Sequence, residues 1–293
     1  MGPFGFVDAE KACYPVSLPC CVLKVSRSGY YAAQRRPACR RAVEDRRLGE
    51  LVVAEHKTSR KTYGAPRIHT QLSRAGERVG KKRVARLMRQ RQLSGLIPKR
   101  RGKTTIRVPG IATSPDLVRR EWNPTEPNRL WVADITYVRT WEGWLYLAAV
   151  LDCYSRKVVG WSLGESLKAE LVVDAVEMAI ARRRPEAGLV HHSDRGSQYV
   201  SLAMGNHLRE AAIDTSMGSK GSPLDNAVAE SFFATFKKEL INRRSWPTKG
   251  EARSAIFEWI EVFYNRTRIH TTLGGYAPEE LESLRLSRAK EAA

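Results

Sequence analysis

The periodicity of the chain changes at Arg129, and that change limits the possible folds more than any other feature. Beyond it, WVADITYVRT sets Trp131, Ala133, Ile135 and Tyr137 against Val132, Asp134, Thr136 and Val138, the two-residue alternation of a strand. WLYLAAVLD, Trp144 to Asp152, is almost wholly apolar, which predicts a strand buried on both faces. KVVGWSL, Lys157 to Leu163, supplies a third, and short links containing Gly or Ser predict an antiparallel meander. A helix is expected over Ala169–Arg184, a strand over Gly188–Ser193, a helix over Val200–Ala212 and a short strand near Ile213. Helices over Leu224–Ile241 and Lys249–Tyr264 complete the pattern. That order belongs to an α/β domain.

The preceding half reads as helical. Residues 10–35 predict short helices around turns, with Ser26 and Ser28 placed to act as N-caps. Residues 40–59 predict one charged helix whose apolar side is Leu48, Leu51, Val52 and Ala54. Over Tyr63–Leu96, Pro66 suits a first helical turn and Ile68 and Leu72 keep helical spacing before Ala75-Gly76 breaks it. A second helix from about Lys81 turns Val84, Leu87 and Met88 inward and leaves Lys81, Lys82, Arg83, Arg86, Arg89 and Arg91 outward. Two such helices around a Gly-containing turn read as helix-turn-helix, although a plain structural hairpin has the same pattern. Charge favours the DNA-binding reading. Of a net +19, residues 1–128 carry +18 and residues 129–293 carry +1, the balance of a polyanion-binding module joined to a near-neutral partner. Residues 97–128 hold five prolines among scattered cations and predict a linker or extended arm able to lie along DNA.

Other classes are disfavoured. No stretch approaches the roughly 18 unbroken apolar residues of a membrane span, and MGPFGFVDAEK lacks the pattern of a signal peptide. A protein of the bacterial cytoplasm, associated with the nucleoid and without a membrane partner, is expected. Cys13, Cys20, Cys21, Cys39 and Cys153 form no zinc-binding spacing, so reduced, mostly buried thiols and no zinc are expected.

The acids carry the chemistry. Asp134 interrupts an otherwise apolar strand, and burying a carboxylate costs several kcal/mol unless it is paired or binds a metal. Asp194 ends the fourth predicted strand and opens a Gly196-containing turn, where α/β sheets hold ligands. Glu230 falls beside the Val228, Phe232, Phe236 and Leu240 face of its helix, with Ala234 and Lys237 on its own side. Three oxygen ligands from these elements can hold Mg²⁺ or Mn²⁺, and two such ions suit in-line phosphoryl displacement. Competing roles are assigned to their neighbours. Asp225 reads as a helix-capping acid with Ser222 as N-cap, Asp152 as a turn acid bonding nearby amides, and His191 and His192 as non-catalytic.

VADITYV around Asp134, HSDRGSQYVS around Asp194 and SPLDNAVAESFFATFKKEL around Glu230 closely resemble the insertion-sequence transposases with a retroviral-integrase-like catalytic core. Thirty-five residues separate Asp194 from Glu230, the interval characteristic of that family, and Lys237 matches a basic residue it carries. LDCYSRKVVGW, YGAPRIHTQL, VARLM and FYNRTRIHTTLGGYAPEEL extend the resemblance over nearly the whole chain. The resemblance implies a ribonuclease-H-like integrase core, with a mixed five-stranded sheet and flanking helices, preceded by an all-α helix-turn-helix-type region. It implies a DDE transposase whose Asp134, Asp194 and Glu230 hold two Mg²⁺ or Mn²⁺ ions, with Lys237 near the scissile phosphate. The expected division is a basic DNA-binding region over 1–96, with the helix-turn-helix-like part at about 63–96, then an arm over 97–128. A catalytic core over 129–241 and a helical extension over 242–293 follow. Element ends and target DNA are the expected partners, acted on by a homo-multimer. The chain resembles the downstream product of a two-frame element, so an upstream-frame protein is a further partner, fused or separate. A regulator with an inactive core and a structure-specific nuclease of the same fold are the rival readings.

Overall fold

A computed structural model describes residues 2–96, 118, 122–193, 202–217 and 226–291, so most of the expected arm, with Asp194, Ser222 and Asp225, lies outside the described residues. The chain forms two compact units, Met1–Val53 and Ala54–Ala293.

The first unit contains α1 (Pro3–Glu10), α2 (Ser17–Val22) and α3 (Arg27–Arg35), and α4 (Arg40–Thr58) begins within it. Ser26 caps α3, its Oγ accepting the Gly29 N–H at 3.0 Å, whereas Ser28 lies inside that helix. Val7, Cys20 and Tyr30 form a small core. The expectation of mostly buried thiols fails here: Cys13, Cys21 and Cys39 are exposed and only Cys20 and Cys153 are buried, all as free cysteines. Short helices around so small a core bury few positions, and the cysteines outside it face solvent.

In the second unit, α5 (Ala65–Arg74) starts with Pro66 in its first turn and α6 (Lys81–Gln90) follows a turn containing Gly76 at φ +86°. Their apolar faces, Ile68 and Leu72 with Val84, Leu87 and Met88, are buried. This pair is tied to the rest of the unit. The Ile269 N–H donates to Tyr63 Oη at 2.8 Å, and Lys238 Nζ donates to the Leu96 carbonyl at 2.6 Å.

The sheet comprises β1 (Leu130–Thr140), β2 (Gly143–Asp152), β3 (Val158–Gly164), β4 (Val190–Ser193) and β5 (Asp214–Met217), ordered β3-β2-β1-β4-β5. The first three form the expected antiparallel meander, and β1, β4 and β5 run parallel. Between β3 and β4, α7 (Ala169–Arg183) packs on one face against Trp131, Ala133, Ala148 and Val150; α8 (Leu202–Glu210) lies between β4 and β5. Gly160 allows α7 close: a Cβ there would stand 2.1 Å from the Ala175 carbonyl oxygen and 2.7 Å from the Ala179 nitrogen.

The opposite face, with Val132, Val138, Leu145, Leu147 and Ala149, is covered by α9 (Ala227–Glu239) and by α10 (Lys249–Phe257) with the turns after it. The long helix expected over Lys249–Tyr264 is α-helical only to Phe257 and widens into π-helix over Glu258–Tyr264. Trp259, Ile260, Phe263 and Tyr264 of this stretch are buried in the core. A last helix, α11 (Pro278–Glu291), ends the described chain. No helix among the described residues is long and apolar enough to cross a membrane.

Candidate active site

The register partner of Asp134 on β2 is Ala149, and the last described pairing of β1 with β4 is Ala133 opposite Ser193. Asp134 shares the face of Val132 and Val138, the face that α9 covers, and is half-buried. The carboxylate accepts the Ile135 N–H at 2.7 Å, which uses part of its oxygen capacity and fixes its direction. Asp134 is thus the fifth residue of β1, one step beyond the level of the last described residue of β4. Ser193, the residue before Asp194, is the last described residue of β4.

Glu230 lies on α9, whose start is bound to β1 beside Asp134. Asn226 precedes the helix and its Nδ2 donates to the Ala133 carbonyl at 3.0 Å, binding the helix start to the residue before Asp134. The Glu230 N–H donates to the Asn226 carbonyl at 3.0 Å, so Glu230 follows one turn later. Val228, Ala229, Phe232, Phe233 and Phe236 hold the helix on the sheet, each fully buried large side chain contributing about 1.5–3 kcal/mol. Glu230 itself is exposed, although partial desolvation holds its carboxyl above the usual glutamate range. A cation placed there would offset that cost.

Asn226 was not singled out by sequence reasoning, although it stands in the LDNAVAE segment as a polar residue at a helix start. Its replacement by Ala leaves the Ala133 carbonyl without this donor and is expected to cost about 1–3 kcal/mol in urea unfolding. A variant as stable as the parent would show that this bond does not hold α9.

Lys237 is seven residues after Glu230 on α9, with its ammonium 4.7 Å from the Tyr137 ring centroid. Neighbouring polar residues are occupied structurally. Asp152 is fully buried and accepts amide N–H groups from Asn128 at 2.6 Å, Tyr154 at 2.9 Å and Ser155 at 3.1 Å, the turn role expected of it. Burial, with His192 adjacent, pulls His191 down to about 4 and keeps it neutral. His192 is buried, its Nδ1 2.9 Å from Ser216 Oγ and its ring edge-on to Trp122. On α6, Lys81, Lys82 and Arg89 are exposed and Arg83 and Arg86 half-buried, opposite the Val84, Leu87 and Met88 core side.

A five-stranded mixed sheet carrying an acidic corner, preceded by a helix-turn-helix-like pair, defines an integrase-core protein, and comparison with known families agrees. The integrase core domain matches residues 124–223 and again 211–278, and an HTH-like domain matches residues 43–101. The chain is 42% identical over 260 residues to an uncharacterized 31 kDa protein of insertion element IS600 from Shigella sonnei, covering 88% of this chain and 95% of that one. It is 38% identical to the transposase for insertion sequence element IS629 of the same organism, covering 94% of each. With the transposase InsF for insertion sequence IS3A of Escherichia coli the identity is 36%, over 96% of this chain and 99% of the relative. The chain belongs to the insertion-sequence transposases with an integrase core.

Proposed function

We propose that this transposase cuts DNA strands and joins them by in-line phosphoryl transfer, with Asp134, Asp194 and Glu230 as its catalytic acids. The observation that carries the reading is the hydrogen bond from Asn226 to the Ala133 carbonyl, which ties the helix bearing Glu230 to the strand position beside Asp134. The donor set fits Mg²⁺ or Mn²⁺: it offers carboxylate oxygens alone, and one of its acids is held above its ordinary pKa by desolvation. Two ions held by these acids would activate the attacking hydroxyl or water and stabilise the departing oxygen.

The chain's own residues do the remaining work. The Ile135 amide orients the Asp134 carboxylate, and Lys237 meets the DNA backbone near the phosphate to be attacked. Lys81, Lys82, Arg83, Arg86 and Arg89 of α6 neutralise phosphates and set the duplex in register. DNA binding thus resides in residues 1–96, aided by the arm over 97–128. Chemistry resides in 129–241, and 242–293 supports it. Two DNA ends must be held together, so the working form is a multimer on DNA, joined or assisted by an upstream-frame product.

Labelled element-end DNA incubated with the full chain tests this. With Mg²⁺ or Mn²⁺, nicked and joined strands are expected, and with EDTA neither. Cut DNA without joined DNA indicates a nuclease instead. Equal product with and without metal overturns the assignment of the acids. Binding without either product, even after the upstream-frame protein is added, points to a regulator.

A further inference from the structure

Beside the acidic corner, the end of the β1–β2 hairpin and the segment after α9 enclose a groove of about 610 Å³, a volume suited to a small planar group. Its walls carry three large exposed rings: Tyr137 is 57% exposed, Trp141 76% and Trp144 45%. Exposed aromatic surface gathered in one place marks an interaction site. Tyr137 and Trp144 meet edge to face with centroids 5.2 Å apart, so each supports the other, and Trp141 is the most exposed of the three rings.

Cations alternate with these rings. Lys237 lies over Tyr137, the Arg139 guanidinium is 5.9 Å from the Trp144 centroid, and Arg244 is 4.2 Å from the ring of the buried Trp246. No carboxylate lines the groove among the described residues, and Glu142, in the same hairpin turn, accepts the Lys249 N–H at 2.7 Å. The hairpin is fixed to the groove's far wall, where the Trp141 N–H donates to the Trp246 carbonyl at 3.0 Å. The groove is therefore a built feature.

We infer that it stacks unpaired nucleobases of the DNA strand end held at the acidic corner. Alternating rings and cations match a strand in which base faces alternate with phosphates, and stacking of this kind is indifferent to sequence. Paired bases inside a duplex keep their faces covered, so the ligand is an unpaired or frayed end. Lys237, seven residues along α9 from Glu230 or about 10 Å, reaches Tyr137, whose side chain leaves β1 on the face opposite Asp134, so the groove lies within reach of the chemistry through Lys237. The inference rests on the chain acting at DNA ends, and on nothing about the metals.

Fluorescence anisotropy in EDTA tests it with the full chain and three duplexes: blunt, with a short single-stranded tail, and with an abasic tail of equal length. The tail is expected to tighten binding roughly tenfold, as one stacked base does, and the abasic tail to give no gain. Replacing Trp141 and Trp144 together by Ala removes the gain and moves blunt-duplex affinity less than about twofold, whereas Phe at both positions keeps most of the gain. An abasic tail that binds as tightly as the normal one overturns the inference, because phosphate contact then suffices. An Ala variant that retains the gain overturns it as well. If the parent shows no tail effect yet nicks DNA with Mg²⁺, this inference alone falls; if it binds no duplex at all, the proposed function falls with it.

Discussion

Asp134→Asn is expected to lower strand cleavage by about 10³-fold or more while DNA affinity stays within about twofold. Asparagine matches the shape of aspartate, and its Oδ1 can still accept the Ile135 N–H, so β1 and the contacts around it survive. What is lost is the formal charge of a carboxylate proposed to hold metal. A metal-centred site supplies several kcal/mol of transition-state stabilisation, and each 1.36 kcal/mol is tenfold in rate, so about 4 kcal/mol gives the stated loss. Glu230→Gln should reduce cleavage similarly, and its stability adds a second reading. Glu230 has a folded pKa raised by desolvation. Its contribution to stability is complete below the unfolded pKa and is lost as pH rises through the folded value. At neutral pH the ionised group therefore weighs against folding, and the Gln variant should melt no lower than the parent in EDTA. Single-turnover cleavage, anisotropy and a thermal scan measure the three quantities. Parallel loss of binding and cleavage would remove the residue concerned from a catalytic role, and a lowered melting point for Glu230→Gln would overturn the desolvation of that carboxyl.

Legibility in the sequence followed the range of each interaction. β1 and β2 were readable because alternation and near-continuous apolarity are local consequences of which faces are buried. Asp134 stood out for the same reason, as one charge where the pattern called for an apolar side chain. The turn role of Asp152 is legible because its donors, the Tyr154 and Ser155 amides, follow at once in the chain. The Asn226 bond was hidden, since its acceptor is 93 positions away and no local pattern distinguishes that amide from a cap. The widening after Phe257 was equally hidden. It answers to the Phe232 and Phe236 rings of α9, which stand 5.9 and 5.4 Å from Trp259, and the local repeat carries no sign of it. The aromatic groove needed three separated segments to meet and could not be read from any one of them.

Arg268→Met is expected to destabilise the second unit by about 3–5 kcal/mol, and most of that loss should return in the Arg268→Met/Glu239→Leu double variant. Arg268 and Glu239 are 3% and 5% exposed and form two parallel bonds, Nε to Oε2 and Nη2 to Oε1, each of 2.8 Å. Glu239 is the last residue of α9, and Arg268 follows the π-helical stretch, so the pair joins the far end of the Glu230 helix to the C-terminal segment. Removing the guanidinium alone strands a buried carboxylate. Arg67 offers a longer partner at 3.6 Å, which places the expected loss toward the lower end of the range. Replacing both groups with apolar side chains removes the desolvation cost with the bond, which is why the double variant recovers. His270, beside Arg268, is kept neutral: burial first, then the Arg268 charge, lower its pKa to about 2, so it cannot substitute as the cation. Urea midpoints at constant slope measure each step of the cycle. A single variant costing under about 1 kcal/mol, or a double variant no better than the single, would show that the pair does not anchor α9. If the double variant also cleaves DNA at a rate near the parent's, the pair serves the fold, and the chemistry belongs to the acids at the opposite end of the helix.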